Sequence, residues 1–214
     1  MAEKMNPQDS RLVHSIILLA SIYEQQRKFT DVEREDMRAL KVANDMSGPD
    51  SFDALSVMNA VGNSYLRARK YPEALDYLNR ALALEEKLRG PDSGEIELDS
   101  IGQVYLEQGN LEKAEDAFEK LLAAEESMHG PGDLFTTSGL ERLGYIHCQM
   151  GKYDLGKDEY ERKLAIEEKH FGPNSAALGG TLDEIARALR GLGKPDEARA
   201  LENRRRLLAA NQTH

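Results

Sequence analysis

Four Gly-Pro dipeptides, Gly48-Pro49, Gly90-Pro91, Gly130-Pro131 and Gly172-Pro173, punctuate the chain at spacings of 42, 40 and 42 residues. An Asn6-Pro7 pair lies 42 residues before the first. A fixed period of this length marks a repeat architecture. Glycine suits the left-handed position just past a helix end, and the proline after it cannot continue the helix. Each dipeptide therefore reads as a helix stop. Five units follow, residues 6–47, 48–89, 90–129, 130–171 and 172–214, taken together as one repeat domain over residues 1–214.

Each unit carries a weaker break near its middle: QRKF, ARKY, QGNL, MGKY and LGKP, beginning at Gln26, Ala68, Gln108, Met150 and Leu192. Between breaks the apolar residues recur at helical spacing, as Met58, Val61, Gly62 and Tyr65 do, followed by Ala74, Leu78, Ala81 and Leu82. This predicts two antiparallel helices per unit and about ten in all. In the first helices one column reads Leu19, Val61, Ile101, Leu143 and Ile185. The next position is small in every unit: Ala20, Gly62, Gly102, Gly144 and Ala186. Glycine inside a helix costs about 1 kcal/mol against alanine, so its recurrence implies helices in close approach. Three residues on, Tyr23, Tyr65 and Tyr105 give way to His147 and Leu189, and the second helix has its own small column at Val32, Ala74, Ala114, Gly156 and Ala198. No single hairpin buries such a stripe alone, so the units must stack.

This pattern resembles the tetratricopeptide repeat. The long period, with endings such as LALEEKLRGPD (82–92) and LAIEEKHFGPN (164–174), is similar to the repeats of kinesin light chains and their bacterial relatives. The resemblance implies an all-α fold, a right-handed superhelix (α-solenoid) whose first helices line a concave groove for peptide or protein ligands. The groove positions it implies are Ile17 and Ser21 in the first unit, Asn59, Asn63 and Arg67 in the second, and Asp99 and Gln103 in the third. Glu141 and Tyr145 follow in the fourth unit, Asp183 and Arg187 in the fifth. Along one column Asp99, Glu141 and Asp183 form an acidic wall, which favours a partner with a basic or amide-rich segment. A plain solvated helix face gives the same pattern, and Arg142, Arg187 and Arg190 stand near enough to neutralise the acids internally. The lysine clamp by which some relatives hold chaperone tails is not matched: Ile17, Ile96 and Asp99 occupy the flanking positions.

The net charge of −10 argues against sequence-independent nucleic-acid binding, which needs clustered cations, and against docking on anionic lipid. The most apolar run, Ile16 to Ala20, is far shorter than the roughly 20 residues that span a bilayer. MAEKMNPQDSRL lacks a signal pattern, and Cys148 has no second cysteine to pair with, so a cytoplasmic protein is expected.

No catalytic constellation or cofactor site emerges, so the chain is not read as an enzyme. Gly151 to Lys157 fits G-x4-G-K, but Asp158 stands where a phosphate loop needs Ser or Thr, and the context is a helical turn rather than strand to helix. His14, His129, His147, His170 and His214 lack zinc-ligand spacing, and His147 falls in the tyrosine core column. Paired acids at Glu85-Glu86, Glu125-Glu126 and Glu167-Glu168 recur at one repeat position and read as structural or solubilising. Glu202, Arg205 and Arg206 make the last helix a polar cap, with Arg204 to Arg206 as the most basic spot. The opposite end is apolar all round at Ile16 to Leu19, and homodimerisation near Ile17 and Leu18 is the second reading of function. A regulatory arm of a larger signalling protein is the third.

Overall fold

A computed structural model describes residues 7–210, with side chains from Arg11 onward. Asn6 of the first break and His214 lie outside the described residues. All regular structure within them is helical. The chain divides into two compact units at the Gln108–Gly109 turn, inside the third repeat.

The first unit holds α1 (Pro7–Gln25), α2 (Phe29–Ser47), α3 (Phe52–Arg67), α4 (Tyr71–Arg89) and α5 (Glu95–Glu107). The second holds α6 (Leu111–His129), α7 (Thr137–Gln149), α8 (Tyr153–Phe171), α9 (Gly179–Gly191) and α10 (Pro195–Ala210). Helices pair as hairpins, α1 with α2, α3 with α4, α7 with α8 and α9 with α10, and each hairpin packs on a sequence neighbour within its unit. Short 3-10 turns, Leu134–Thr136 and Ala176–Leu178, lead into α7 and α9. Asp133 and Ser175 cap them by accepting from the Phe135 and Ala177 amides. Nothing in the apolar periodicity signals these two turns.

The Gly-Pro stops do end helices, but not in the expected conformation. Gly48, Gly90, Gly130 and Gly172 have φ of 87°, 112°, 90° and 84° with ψ of 161°, 169°, 151° and 151°. Positive φ with extended ψ belongs to a region open essentially to glycine alone. The left-handed helical caps occur instead at the mid-repeat turns: Arg27, Arg69, Gly109, Gly151 and Gly193 have φ between 57° and 75°. There the chain closes the helix by a long backbone bond, for example Lys70 N–H to the Tyr65 carbonyl at 2.9 Å.

The core of the first unit includes Val13, Ile16, Ala39, Ala43, Val57 and Val61, and a second cluster around Ala54, Met58 and Ala81. In the second unit Tyr160, Ile185, Ala186, Leu189 and Ala198 form one cluster and Leu178, Leu182 and Leu208 another. The small columns are close-approach sites, as expected. A Cβ on Gly144 would lie 2.7 Å from the Tyr160 ring, and one on Gly156 would lie 2.9 Å from the Gly144 carbonyl oxygen. Backbone cannot yield as a side-chain tip does, so Gly156 holds α7 and α8 together at minimal distance.

Of the recurrent acids, Glu85 pairs with Arg89 of its own helix, whereas those of the third and fourth repeats turn out to be stitching between repeats. Glu125 accepts from the Gly139 amide at 2.9 Å and Glu167 from the Thr181 hydroxyl at 2.7 Å, each tying a second helix to the first helix of the next repeat. Their neighbours do the same on the outside. Arg162 grips Glu126 and the Pro131 carbonyl, and Arg204, 42 residues on, grips Glu168 and the Pro173 carbonyl. Arg205 pairs with Asp183 at 3.0 Å. Two of the three arginines of the basic spot are therefore engaged within the fold.

Candidate protein-binding faces

In the first unit the groove positions on α1, α3 and α5 lie side by side, but most are already tied to one another. The Asn59 amide donates to Glu97, and its Oδ1 is buried with no hydrogen-bond partner. Asn63 donates to the Asn59 carbonyl at 2.9 Å while accepting from the Ser100 hydroxyl at 3.1 Å. Arg67 pairs with Glu24 of α1. Ser21 donates to the Leu18 carbonyl at 2.8 Å. Gln103 is half-buried, 3.5 Å from Glu107, and Asp99 is also half-buried. Ile17 lines an open cavity of about 550 Å³ with Arg11, His14, Asp53 and Ser56.

In the second unit Tyr145 is 41% exposed on α7 and Arg187 projects from α9. They line a cavity of about 310 Å³ with Cys148, Gln149, Tyr153, Tyr160 and Glu184. Burial raises the Cys148 thiol above its ordinary value, so the sulfur is held as a thiol rather than a nucleophile. Sequence reasoning placed Tyr145 and Arg187 here but missed the second-helix tyrosines, whose positions carry no groove label in the repeat pattern.

The acidic wall is less acidic than its sequence. Asp183 is paired with Arg205, and Glu141 accepts from Lys163 Nζ at 2.7 Å. Lys163 is the main feature that sequence reasoning missed. It is buried in α8, where the corresponding residues of the second and third repeats are Ala81 and Leu121. Glu184 lies 3.5 Å and Glu167 3.9 Å from the same nitrogen. Burial alone would lower the ammonium's pKa, but the Glu141 bond and the surrounding carboxylates outweigh it and raise the value. The departure of Lys163 from its column was the signal available.

His147 is the buried, hydrogen-bonded histidine expected of the tyrosine column. Its Nδ1 lies 2.8 Å from Glu159 and its Nε2 2.9 Å from Glu115, which also accepts from Lys152 at 2.7 Å. A ring nitrogen can hydrogen-bond an ionised carboxylate only by donating, so making both contacts at once takes one proton more than a neutral ring and two carboxylates carry. Burial pushes Glu159 upward, while the Lys152 bond holds Glu115 down. The G-x4-G-K string is likewise structural: the Gly156 amide bonds the Lys152 carbonyl, and Lys157 pairs with Glu161 at 2.8 Å. Among the described residues no group of three His, Cys, Asp or Glu is placed to hold a metal ion. None of the described helices is long and apolar enough to cross a membrane.

Comparison with known proteins agrees with this geometry. BtubC (BKLC) from P. vanneervenii has a TM-score of 0.82 at 19% identity, covering 96% of this chain and 82% of its own. A kinesin light chain with nearly identical TPR-like repeats from P. anserina scores 0.80 at 17% identity, covering 97% and 99%. PlcR from Bacillus thuringiensis, solved in complex with the peptide PapR7 and DNA, scores 0.60 at 15% identity, covering 95% and 71%. No curated protein matches the sequence. The tetratricopeptide repeat family model matches residues 12–87, 53–127 and 133–206. The helical hairpins, the small close-approach columns and these matches together make the chain a member of the tetratricopeptide repeat family.

Proposed function

We propose that this protein is an adaptor that binds an extended segment of another protein on its first-helix faces, has no reaction of its own, and uses residues 1–214 as one repeat domain. The observation that carries the reading is the cavity of about 310 Å³ at Tyr145 and Arg187, where aromatic surface and polar groups converge. PlcR, solved with a peptide, shares the fold, which supports a peptide as the ligand class. With Glu141 and Asp183 already matched by Lys163 and Arg205, the reading favours an amide-rich over a strongly basic segment. Gln103 and Gln149 offer donors and acceptors to such a chain, and Tyr145 offers a rigid surface that loses little entropy on binding.

The test is selection of a random peptide display library on the immobilised full chain, followed by affinity measurement. Selected peptides should bind Tyr145→Ala and Arg187→Ala at least about tenfold more weakly, as truncating a buried anchor does. Peptides held equally well by both variants would contradict the proposal.

A further inference from the structure

We infer that the protein forms a two-fold dimer in which α1 packs antiparallel against α1 of a second copy. In each later repeat, first-helix positions on one side are covered by the repeat before. Val61, Ile101, Leu143 and Ile185 occupy one such column and are buried. In the next column Val104, Ile146 and Ala188 are buried, and Ser64 of the second repeat is half-buried. Val61 packs with Ala39 and Ala43 of the preceding hairpin, so this is the stacking interface of the fold. In the first repeat the same columns hold Leu19 and Ile22, and Ile22 is 48% exposed. Leu12 and Leu18 beside it are 42% and 51% exposed. The stacking interface therefore continues onto an open face made of large aliphatic residues.

The spacing on α1 identifies a second copy as the occupant. In an antiparallel pair of identical helices, residues equidistant from the centre meet. With the centre level with Ile17, Leu12 faces Ile22 of the other copy, and Ser15 faces Leu19. Leu12, Leu19 and Ile22 thus each meet an aliphatic partner or a small one, as ridges into grooves require, while Leu18 stands level with the core residue Ile16 and flanks the contact. Arg11 stands level with Tyr23 of the other copy, so it meets no like charge. The outward side of α10 is more polar than that of α1: Arg199, Asn203 and Arg206 surround a single exposed large aliphatic residue, Leu207, so an α1–α1 pair matches apolar surface better than an α1–α10 contact. Ile17, expected to join this contact, is instead half-buried on the groove side, so dimerisation leaves the groove faces open.

Sedimentation equilibrium of the full chain across micromolar concentrations tests this. The protein should be a dimer. Leu12→Glu and Ile22→Lys, both at exposed positions, should each raise the dimer dissociation constant at least about a hundredfold with helical content unchanged. Mixed in equal amounts, the two variants should form a heterodimer. At one end of the helix pair the introduced carboxylate then faces the introduced ammonium, and at the other end Leu12 still faces Ile22. A monomer at every concentration overturns the inference. So does a dimer that both variants leave intact, or a mixture that stays monomeric.

Discussion

Lys163→Met destabilises the second unit by about 3 kcal/mol at neutral pH, the size expected when one partner of a buried ion cluster is removed. Among the described residues the lysine is the one cation within 4.0 Å of Glu141, Glu167 and Glu184 together. Without it, Glu184 and Glu167, both largely buried, keep their charge with only the exposed Arg187, 4.0 Å from Glu184, and the Thr181 hydroxyl on Glu167 to balance it. Glu141 is more than half exposed and turns to water, which keeps the loss from growing larger. Burial already holds Glu184 above the usual carboxylate range even with Lys163 beside it. In the variant Glu184 protonates more readily still, so the loss shrinks as pH falls toward the ordinary carboxylate value of 4.5. Urea denaturation at the two pH values measures both effects. A companion variant, Lys163→Met with Glu184→Gln, should recover more than half of the lost stability at neutral pH. A loss below about 0.5 kcal/mol, the level of an ordinary surface substitution, would show that the cluster is not a buried one.

Asp36→Asn has the opposite sign. Asp36 of α2 occupies the column held by Leu78, Phe118 and Tyr160 in the next three repeats and by Glu202 in the capping helix, and it is buried. Burial raises its carboxyl to about 6, against a hydrogen bond from Ser64 that lowers it; Glu24 and Glu33 raise it further and Arg67 lowers it. The unfolded chain, with its ordinary value of 3.8, binds this proton only at lower pH. Between those values the folded state holds more protons, so stability rises as pH falls through 6 and levels off below 3.8. The difference corresponds to about 3 kcal/mol that the charged form costs the fold at pH 7. The amide keeps the shape and an acceptor for Ser64 without the charge. Asp36→Asn should therefore raise stability at pH 7 by about 2 kcal/mol, or about 4–8 °C in melting temperature for a chain of this size. The variant should also lose the parent's gain between pH 7 and pH 4. A melting temperature that falls at pH 7, or an unchanged pH profile, would contradict the burial of that carboxylate.

Both residues show how far the sequence could be read. The hairpins, their boundaries and the close-approach glycines were legible because a solenoid is nearly one-dimensional: each repeat sees the same neighbours, so a column of Gly62, Gly102 and Gly144 reports one packing site several times over. Pairings that cross between repeats were not legible. Asn59 and Arg67 sit on the face expected of them, yet their side chains are committed to Glu97 and Glu24, 38 and 43 residues away. Helical periodicity fixes which face a residue shares but not whether a neighbour's charge reaches it. The acids Glu141 and Asp183 were misjudged for that reason, since Lys163 and Arg205 come from the second helices. Asp36 and Lys163 were visible as charged members of columns that are apolar in the other repeats ahead of the polar capping helix, where Glu202 and Arg205 take the same positions. Such departures mark where a repeat protein has traded packing for electrostatics, and they were the unused signal here.

The central claim, that ligands bind on the first-helix faces, is tested most directly by hydrogen–deuterium exchange with a display-selected peptide bound to the full chain. Added protection is expected in α7 and α9 around Tyr145 and Arg187 and along α3 and α5, with α4, α6 and α10 unchanged. Protection confined to the second helices, or to the outer Gly-Pro loops, would contradict it.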